Sequence, residues 1–314
     1  MKKGGIGFFD SGIGGLTVLA ECAKKLRSFT AYYYGDNARA PYGNLPPQTI
    51  RRYVLEAFMQ FEQLKVKAAV VACNTATAVC MDELRTRFSF PIIGTEPALL
   101  PAAKVKGDIL VLATRATVES GRLRALNEKA QRTYPDVRFH VCACDALAGG
   151  IEKGWRMEKL KSYLPVYSPS AVVLGCTHYI YIKKEIAEHY SAPVFDGNEG
   201  VASRLVEVLK SEKTDNFIKN FAENRDEQPL LTFSGEKQHF LLLWEEGKKT
   251  TEPQDGKTNE CSQKYAKNDK KMAKTVHFSQ IYFLGSGREI NLKKYEQMFV
   301  AKQKPEWDDG GWKN

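Results

Sequence analysis

Two cysteines stand where a side chain can do chemistry. Cys73 closes the run Ala68-Ala69-Val70-Val71-Ala72 and is followed by Asn74-Thr75. Cys176 closes Ala171-Val172-Val173-Leu174-Gly175 and is followed by Thr177-His178. Each run is short, apolar and rich in β-branched residues, as a strand buried on both faces should be. Each leads toward a helical segment, about 74–87 after the first and 182–189 after the second. Asn74, Thr75 or Thr77 are the candidate caps of the first helix. A thiol at such a strand end points at helix amides, which favour its thiolate. From an unperturbed pKa of about 8.5, modest help makes it a competent base near neutral pH. His178 lies two residues after Cys176 and shares its side if strand geometry persists. Asp10 is the matching assistant on the Cys73 side. Two thiols on opposite sides of one carbon suit removal of a proton from a stereocentre and its return to the other face. A hydrolase would need only one nucleophile. The amides after each cysteine, with Ser11, Asn74, Thr75 and Thr177, are candidates to hold substrate carboxylates and an ammonium.

The elements that must position these residues follow from the pattern. Gly5-Ile6-Gly7-Phe8-Phe9 reads as a strand ending at Asp10-Ser11-Gly12, with helix formers over 16–26. Thr17 stands where a dinucleotide fingerprint needs its third glycine, so the turn is not that motif. Strands are expected at 31–34, 91–94, 108–112 and 137–142, and an amphipathic helix at 48–63. Helix-like sequence runs from Thr117 to about Tyr134. Gly149-Gly150-Ile151-Glu152 leads toward another helix. Residues 194–200 read as a turn-rich connection and 201–209 as a helix. A strand-like piece falls within 230–244, and 276–283 and 290–300 could add a strand and a helix; 245–274 is polar.

An internal repeat emerges. Cys73 and Cys176 are 103 positions apart, and the same shift carries Ile6-Gly7-Phe8-Phe9-Asp10-Ser11 onto Ile109-Leu110-Val111-Leu112-Ala113-Thr114. The fold expected is α/β, with two pseudo-symmetric domains, each a mainly parallel sheet flanked by helices, and an active site in the cleft between them. The division expected is 1–97 plus about 208–247 for the first domain, 98–207 for the second, and 248–314 as a polar, partly flexible C-terminal extension.

Composition narrows the class. The 43% hydrophobic and 26% charged content is that of a globular chain. No apolar run approaches the roughly 18 residues of a membrane span, and Asp10 breaks the first apolar stretch, so no membrane association and a cytoplasmic location are expected. Seven cysteines without small-scaffold spacing imply reduced thiols. Cys22, Cys80, Cys142, Cys144 and Cys261 read as core, and Cys142-x-Cys144 lacks the His partners of a metal site. His140, His189, His239 and His277 have no motif around them. The segment from Ser211 onward holds 18 basic and 17 acidic residues, so nearly all of the net charge of +9 lies before it. No Lys/Arg block with interleaved aromatics appears there. Nucleic acid is therefore not an expected partner; the excess suits weak steering of a small anionic substrate, while a scattered solvated surface accounts for most of these charges.

At these residues the chain resembles the glutamate racemases of the cofactor-independent aspartate/glutamate racemase superfamily. Four stretches carry the resemblance: Phe9-Asp10-Ser11-Gly12-Ile13-Gly14-Gly15-Leu16, Gly35-Asp36 through Pro41-Tyr42-Gly43, Cys73-Asn74-Thr75, and Gly175-Cys176-Thr177-His178-Tyr179. It covers about residues 5–210. The resemblance implies racemisation of glutamate for peptidoglycan without pyridoxal phosphate, metal or other cofactor, and a homodimer. It implies Cys73 and Cys176 as acid/base thiols, Asp10 and His178 as assistants, and Glu152 as a further acidic group near the site. It places Asp10, Ser11, Pro41, Tyr42, Gly43, Asn74, Thr75, Thr177 and His178 against substrate, with Thr114 and Thr117 as further candidates. Asn37, Leu123, Ile180 and Asp145 depart from the family's usual Thr, Tyr, Pro and Pro. The alternatives are a racemase of another acidic amino acid such as aspartate, or a non-catalytic binding or regulatory protein on the same fold.

Overall fold

The computed structural model describes residues 4–26, 29–211, 230–233 and 280–284. All of them fall in one compact unit, Met1–Leu242 with His277–Arg288. Ten strands are described: β1 (Ile6–Asp10), β2 (Thr30–Gly35), β3 (Ala68–Val71), β4 (Ile92–Gly94), β5 (Asp108–Ala113), β6 (Arg138–Ala143), β7 (Ala171–Gly175), β8 (Val194–Asp196), β9 (Leu230–Phe233) and β10 (Gln280–Leu284). They form two sheets, β4-β3-β1-β2-β10-β9 and β6-β5-β7-β8, and every pairing is parallel.

The repeat seen in the sequence is a repeat of topology. Read from one end, β4-β3-β1-β2 matches β8-β7-β5-β6 strand for strand. The register repeats too. Ile6 pairs with Ala68 and Phe9 with Val71, while Ile109 pairs with Ala171 and Leu112 with Leu174, each 103 positions on. Parallel strands in both sheets therefore end together, which brings Asp10, Cys73, Thr114 and Cys176 to carboxyl ends where α/β sheets bind ligands.

The strands are apolar because helices cover both faces. On β5, Leu110 and Leu112 pack with Leu147, Ile151 and Tyr179, while Ile109 and Val111 pack on the opposite face with Leu99, Leu123 and Ala130. The first sheet buries Phe9, Tyr34 and Val71 against Ile50, Val54, Phe58 and Phe61 of the helix Pro47–Gln63 and Leu84 of the helix Asn74–Arg87.

Several elements differ from the sequence reading. The helical stretch expected from Thr117 to about Tyr134 is two helices, Arg115–Val118 and Gly121–Thr133, and the Ser120 hydroxyl caps the second by accepting from the Leu123 amide at 3.1 Å. Gly149 and Gly150 lie inside the helix Asp145–Glu152 rather than before it. A β-carbon on Gly150 would come within 2.5 Å of Trp155, so close packing, not a turn, selects the glycine. Residues read as a turn-rich connection form β8, since Val194, Phe195 and Asp196 pair with β7. Gln280–Leu284 is a strand, as expected within 276–283, but it pairs between β2 and β9 in the first sheet. The expectations for 245–274 and 290–300, and for Cys261, His239 and His277, lie outside the described residues.

Candidate active site

Cys73 is itself the cap of the helix Asn74–Arg87, where Asn74, Thr75 or Thr77 had been the expected candidates. Its backbone is extended, and its Sγ accepts a hydrogen bond from the Ala76 amide at 3.4 Å. The thiol donates to Ser11 Oγ at 3.5 Å. Burial pushes the Cys73 thiol up to about 12, with the nearby Asp10 carboxylate adding to the rise; the Ser11 and Ala76 contacts pull the other way and do not offset it. The rise favours the neutral thiol at neutral pH.

Cys176 follows β7 in extended backbone, and a 3-10 turn, Thr177–Ile182, leads from it into the expected helix, Lys183–Tyr190. His178 reaches the same sulfur through that turn and not through continued strand geometry. Its Nδ1 is 3.8 Å from Cys176 Sγ, and its Nε2 is 2.6 Å from Glu152 Oε1. Burial works against a charge on His178, but the hydrogen bonds to Cys176 and Glu152, with Asp10 nearby, raise it well above the ordinary histidine value. That shift favours the imidazolium, the form able to donate to negative charge that builds on the Cys176 sulfur.

Asp10 is fully buried at the end of β1. Its Oδ1 accepts from the Gly12 amide at 2.8 Å and its Oδ2 from the Thr177 hydroxyl at 3.1 Å. Burial raises its carboxyl, against the lowering influence of His178 and of those two donors. The bond to Thr177 joins the end of one sheet to the end of the other. A second join is Thr75 Oγ1 to Thr114 Oγ1 at 2.8 Å, extended by Thr114 to Thr117 at 3.0 Å. A third runs through the glycine turn. The Ile13 amide donates to Glu152 Oε1 at 3.2 Å, and the Ile13 carbonyl accepts from Tyr181 OH at 2.6 Å. Glycine is required here. A β-carbon on Gly12 would stand 2.2 Å from Glu152 Oε1, and one on Gly14 would stand 2.2 Å from Thr177 Oγ1.

Pro41, Tyr42 and Gly43 enter the cleft on a 3-10 turn, Tyr42–Asn44. Tyr42 OH donates to the buried Asp36 carboxylate. Arg39 binds Asp36 through Nε at 2.8 Å, binds Glu56 at 2.9 Å and stacks over the Tyr53 ring at 3.8 Å. Pro41 faces Gly149, and Gly43 faces Thr114 and Asp145, on the opposite wall. Asn74 is buried, and its Nδ2 turns to the Thr95 carbonyl at 3.5 Å. The sequence-nominated residues thus lie where the carboxyl ends of the two sheets meet, linked by the contacts above.

Sequence reasoning missed the groups that hold the turns. Tyr33 OH donates to the Gly12 carbonyl at 2.8 Å, and Tyr181 and the Asp36–Arg39–Glu56 chain act on the neighbouring backbone and on Tyr42. A run of three tyrosines in β2 was the available signal, since a buried hydroxyl needs a partner. Among the described residues no group of three or more His, Cys, Asp or Glu side chains is arranged to hold a metal ion, and no helix is long and apolar enough to cross a membrane.

Residues 16–205 match the family model for Asp/Glu/hydantoin racemases. The chain is 37% identical over 218 residues to the glutamate racemase of Clostridium acetobutylicum, covering 67% of this chain and 85% of the relative. It is similar to the Francisella tularensis glutamate racemase solved in complex with D-glutamate, at 28% identity and TM-score 0.57, covering 68% of this chain and 84% of that one. It is also similar to the Escherichia coli glutamate racemase solved with L-glutamate and the activator UDP-MurNAc-ala, at 28% identity and TM-score 0.59, with the same coverage of 68% and 84%.

Proposed function

The chain belongs to the Asp/Glu/hydantoin racemase family, and from that premise we propose that it interconverts L-glutamate and D-glutamate by proton transfer between Cα and two thiols. The observation that carries the reading is the pair of buried cysteines at equivalent ends of two sheets whose register repeats at an interval of 103 residues. Relatives solved with D-glutamate and with L-glutamate support glutamate as the substrate.

The two cysteine environments differ, and the difference fits one direction of the reaction. Cys176, backed by the His178 imidazolium, takes the α-proton of L-glutamate. Cys73, a neutral thiol, gives its proton to the opposite face. The C–H electrons stay on carbon in between and form a new C–H bond, so the product is D-glutamate with Cys73 as thiolate and Cys176 as thiol. The reverse reaction runs from that state. Asp10 and Ser11 serve the Cys73 side, and His178 with Glu152 serves the Cys176 side. Thr75, Thr114, Thr117, Thr177, Asn74 and the Pro41-Tyr42-Gly43 turn hold the substrate. An α-hydrogen is far less acidic than a thiol, so preorganised amides in a closed, water-poor cleft must stabilise the transition state. A homodimer in the cytoplasm that supplies D-glutamate to peptidoglycan completes the reading.

The test is circular dichroism of L- and D-glutamate in heavy water with the purified full chain and no added cofactor. Optical activity should decay with one α-deuterium incorporated per inversion. Cys73→Ser and Cys176→Ser should each slow racemisation by about 10³-fold or more, equivalent to roughly 4 kcal/mol of lost transition-state stabilisation. No decay of the wild-type signal would sink the reading, and near-normal racemisation in either variant would sink the two-thiol chemistry. Faster decay with aspartate would reassign the substrate.

A further inference from the structure

Cys73 and Cys176 are only 5% and 7% exposed, and Asp10 and His178 beside them are buried. A molecule the size of an amino acid therefore reaches the thiols only when the carboxyl ends of the two sheets part. Hydrogen bonds that cross between those ends include Thr177 to Asp10, Thr75 to Thr114, the Ile13 amide to Glu152, and Tyr181 to the Ile13 carbonyl. The first three use groups already given to the substrate or to the thiols. The fourth does not, and at 2.6 Å it is the shortest of these.

Tyr181 is built to reach across. It lies on the 3-10 turn Thr177–Ile182, and its half-buried ring packs with the core of the second sheet. Its hydroxyl leaves that core for the glycine turn of the first sheet. The two turns meet closely because a glycine stands next to Ile13: a β-carbon on Gly14 would come within 2.2 Å of Thr177 Oγ1 and 2.9 Å of the His178 amide nitrogen. The Ile13 carbonyl also accepts from the Leu16 amide at 3.1 Å, at the start of the helix Gly15–Lys25. It keeps that partner when the tyrosine withdraws, and the freed hydroxyl turns to water as the sheets part. The bond can thus open and close without leaving a buried polar group unpaired.

We propose that the Tyr181 hydroxyl is a latch: its bond to the Ile13 carbonyl holds the two sheet ends together and sets how often Cys73 and Cys176 are open to a ligand. The racemase reading supplies only the premise that both thiols must meet one substrate. The latch is read by chemical labelling of the thiols, which needs no turnover, so the two can fail separately.

Tyr181→Phe in the full chain keeps the packed ring and removes the bond. The net worth of one neutral hydrogen bond is about a fivefold change in an equilibrium. Cys73 and Cys176 should therefore both be alkylated by iodoacetamide about fivefold faster than in the unmodified chain, followed peptide by peptide in a mass spectrometer. Cys22 and Cys80, buried within the helices Gly15–Lys25 and Asn74–Arg87, should keep their rates. Tyr190→Phe is the matched control. It removes a similar bond, from Tyr190 OH to the Pro165 carbonyl at 2.7 Å, that does not cross between the sheets, and it should leave both thiols within about twofold. An unchanged rate at Cys73 overturns the latch. So does acceleration at Cys176 alone, which is local loosening of its own turn. Equal acceleration at Cys22 and Cys80, or in Tyr190→Phe, overturns it too, because general loss of stability then accounts for the labelling. Fivefold acceleration at both thiols in a chain that turns over no glutamate would overturn the racemase reading and leave the latch standing.

Discussion

Replacing Gly12 by alanine adds one methyl group where the two sheets' turns meet. Gly12 is not among the described glycines with positive φ, so alanine suits the backbone and any effect comes from the side chain. The new carbon would stand 2.2 Å from Glu152 Oε1, with Ala40 Cβ and His178 Nε2 each at 3.2 Å. Those two neighbours close off lateral adjustment, so the carboxylate must retreat by roughly 1 Å to reach ordinary contact. That retreat breaks its bonds to His178 at 2.6 Å and to the Ile13 amide at 3.2 Å. A hydrogen bond to a charged group is worth about 1.5–3 kcal/mol. Losing the one that orients His178 should therefore lower kcat/KM by roughly 10- to 150-fold. Glu152 is 19% exposed and can turn to water, so Tm should fall by only a few degrees. The enantiomers have equal free energy, so kcat/KM must drop by the same factor in both directions, which gives circular-dichroism assays started from L- and from D-glutamate an internal check. In a Glu152→Ala background the methyl has nothing to displace and should cost little more. The reasoning fails if Gly12→Ala retains wild-type kcat/KM. It also fails if the loss is equally large in the Glu152→Ala background, because the cause would then lie in the Asp10 or Tyr33 bonds to Gly12.

Other outcomes follow from burial. Asp10 has its carboxyl raised by desolvation, and a group whose folded pKa lies above its unfolded value loses stabilising effect as pH rises through the folded value. At neutral pH its ionisation therefore opposes folding. Asp10→Asn, which keeps an acceptor for the Gly12 amide, should stabilise the protein at pH 7 by on the order of 1 kcal/mol while abolishing racemisation. That advantage should vanish below about pH 3.9, where the unfolded carboxyl is also protonated, and melting curves across pH 3–8 would reveal an unchanging difference if the sign were wrong. Phe58 is fully buried, with ring centroids 5.4 Å from Phe61 and 5.5 Å from Phe88. Phe58→Ala should cost about 3–5 kcal/mol in urea unfolding without moving KM, and a loss under about 1 kcal/mol would mean that the aromatic cluster is not a stabilising core.

The parallel strands were legible because burial on both faces writes them as short β-branched runs, and the 103-residue echo between Cys73 and Cys176 proved to be an echo of register. Thr75 and Thr114 were nominated from different halves of the chain, and they meet. What the sequence hid was set by tertiary contact. Cys73 caps its helix with sulfur, although oxygen side chains are the usual caps and two stood beside it. Gly150 reads as a breaker but sits mid-helix, where Trp155 leaves no room for a β-carbon. Glu152 and His178 are 26 residues apart on separate elements, and no local pattern joins them; only the family resemblance put Glu152 near the site. Asp145 read as a mere departure, because its partner amide at Arg115 is 30 residues away.

On the proposed binding mode, the paired hydroxyls of Thr75, Thr114 and Thr117 make substrate entry an exchange. They are already satisfied by one another, so an arriving molecule returns about as many neutral hydrogen bonds as it disrupts. Each such bond has a net worth of only about 1 kcal/mol even when gained outright. The swap is nearly neutral for any ligand of the right shape, including an uncharged amide isostere. An ionised carboxylate is different, because charge-assisted bonds are roughly twice as strong. On the proposed binding mode, three threonines bonded to one another would act as a charge filter, passing the ligands whose ionisation outcompetes the contacts they must break.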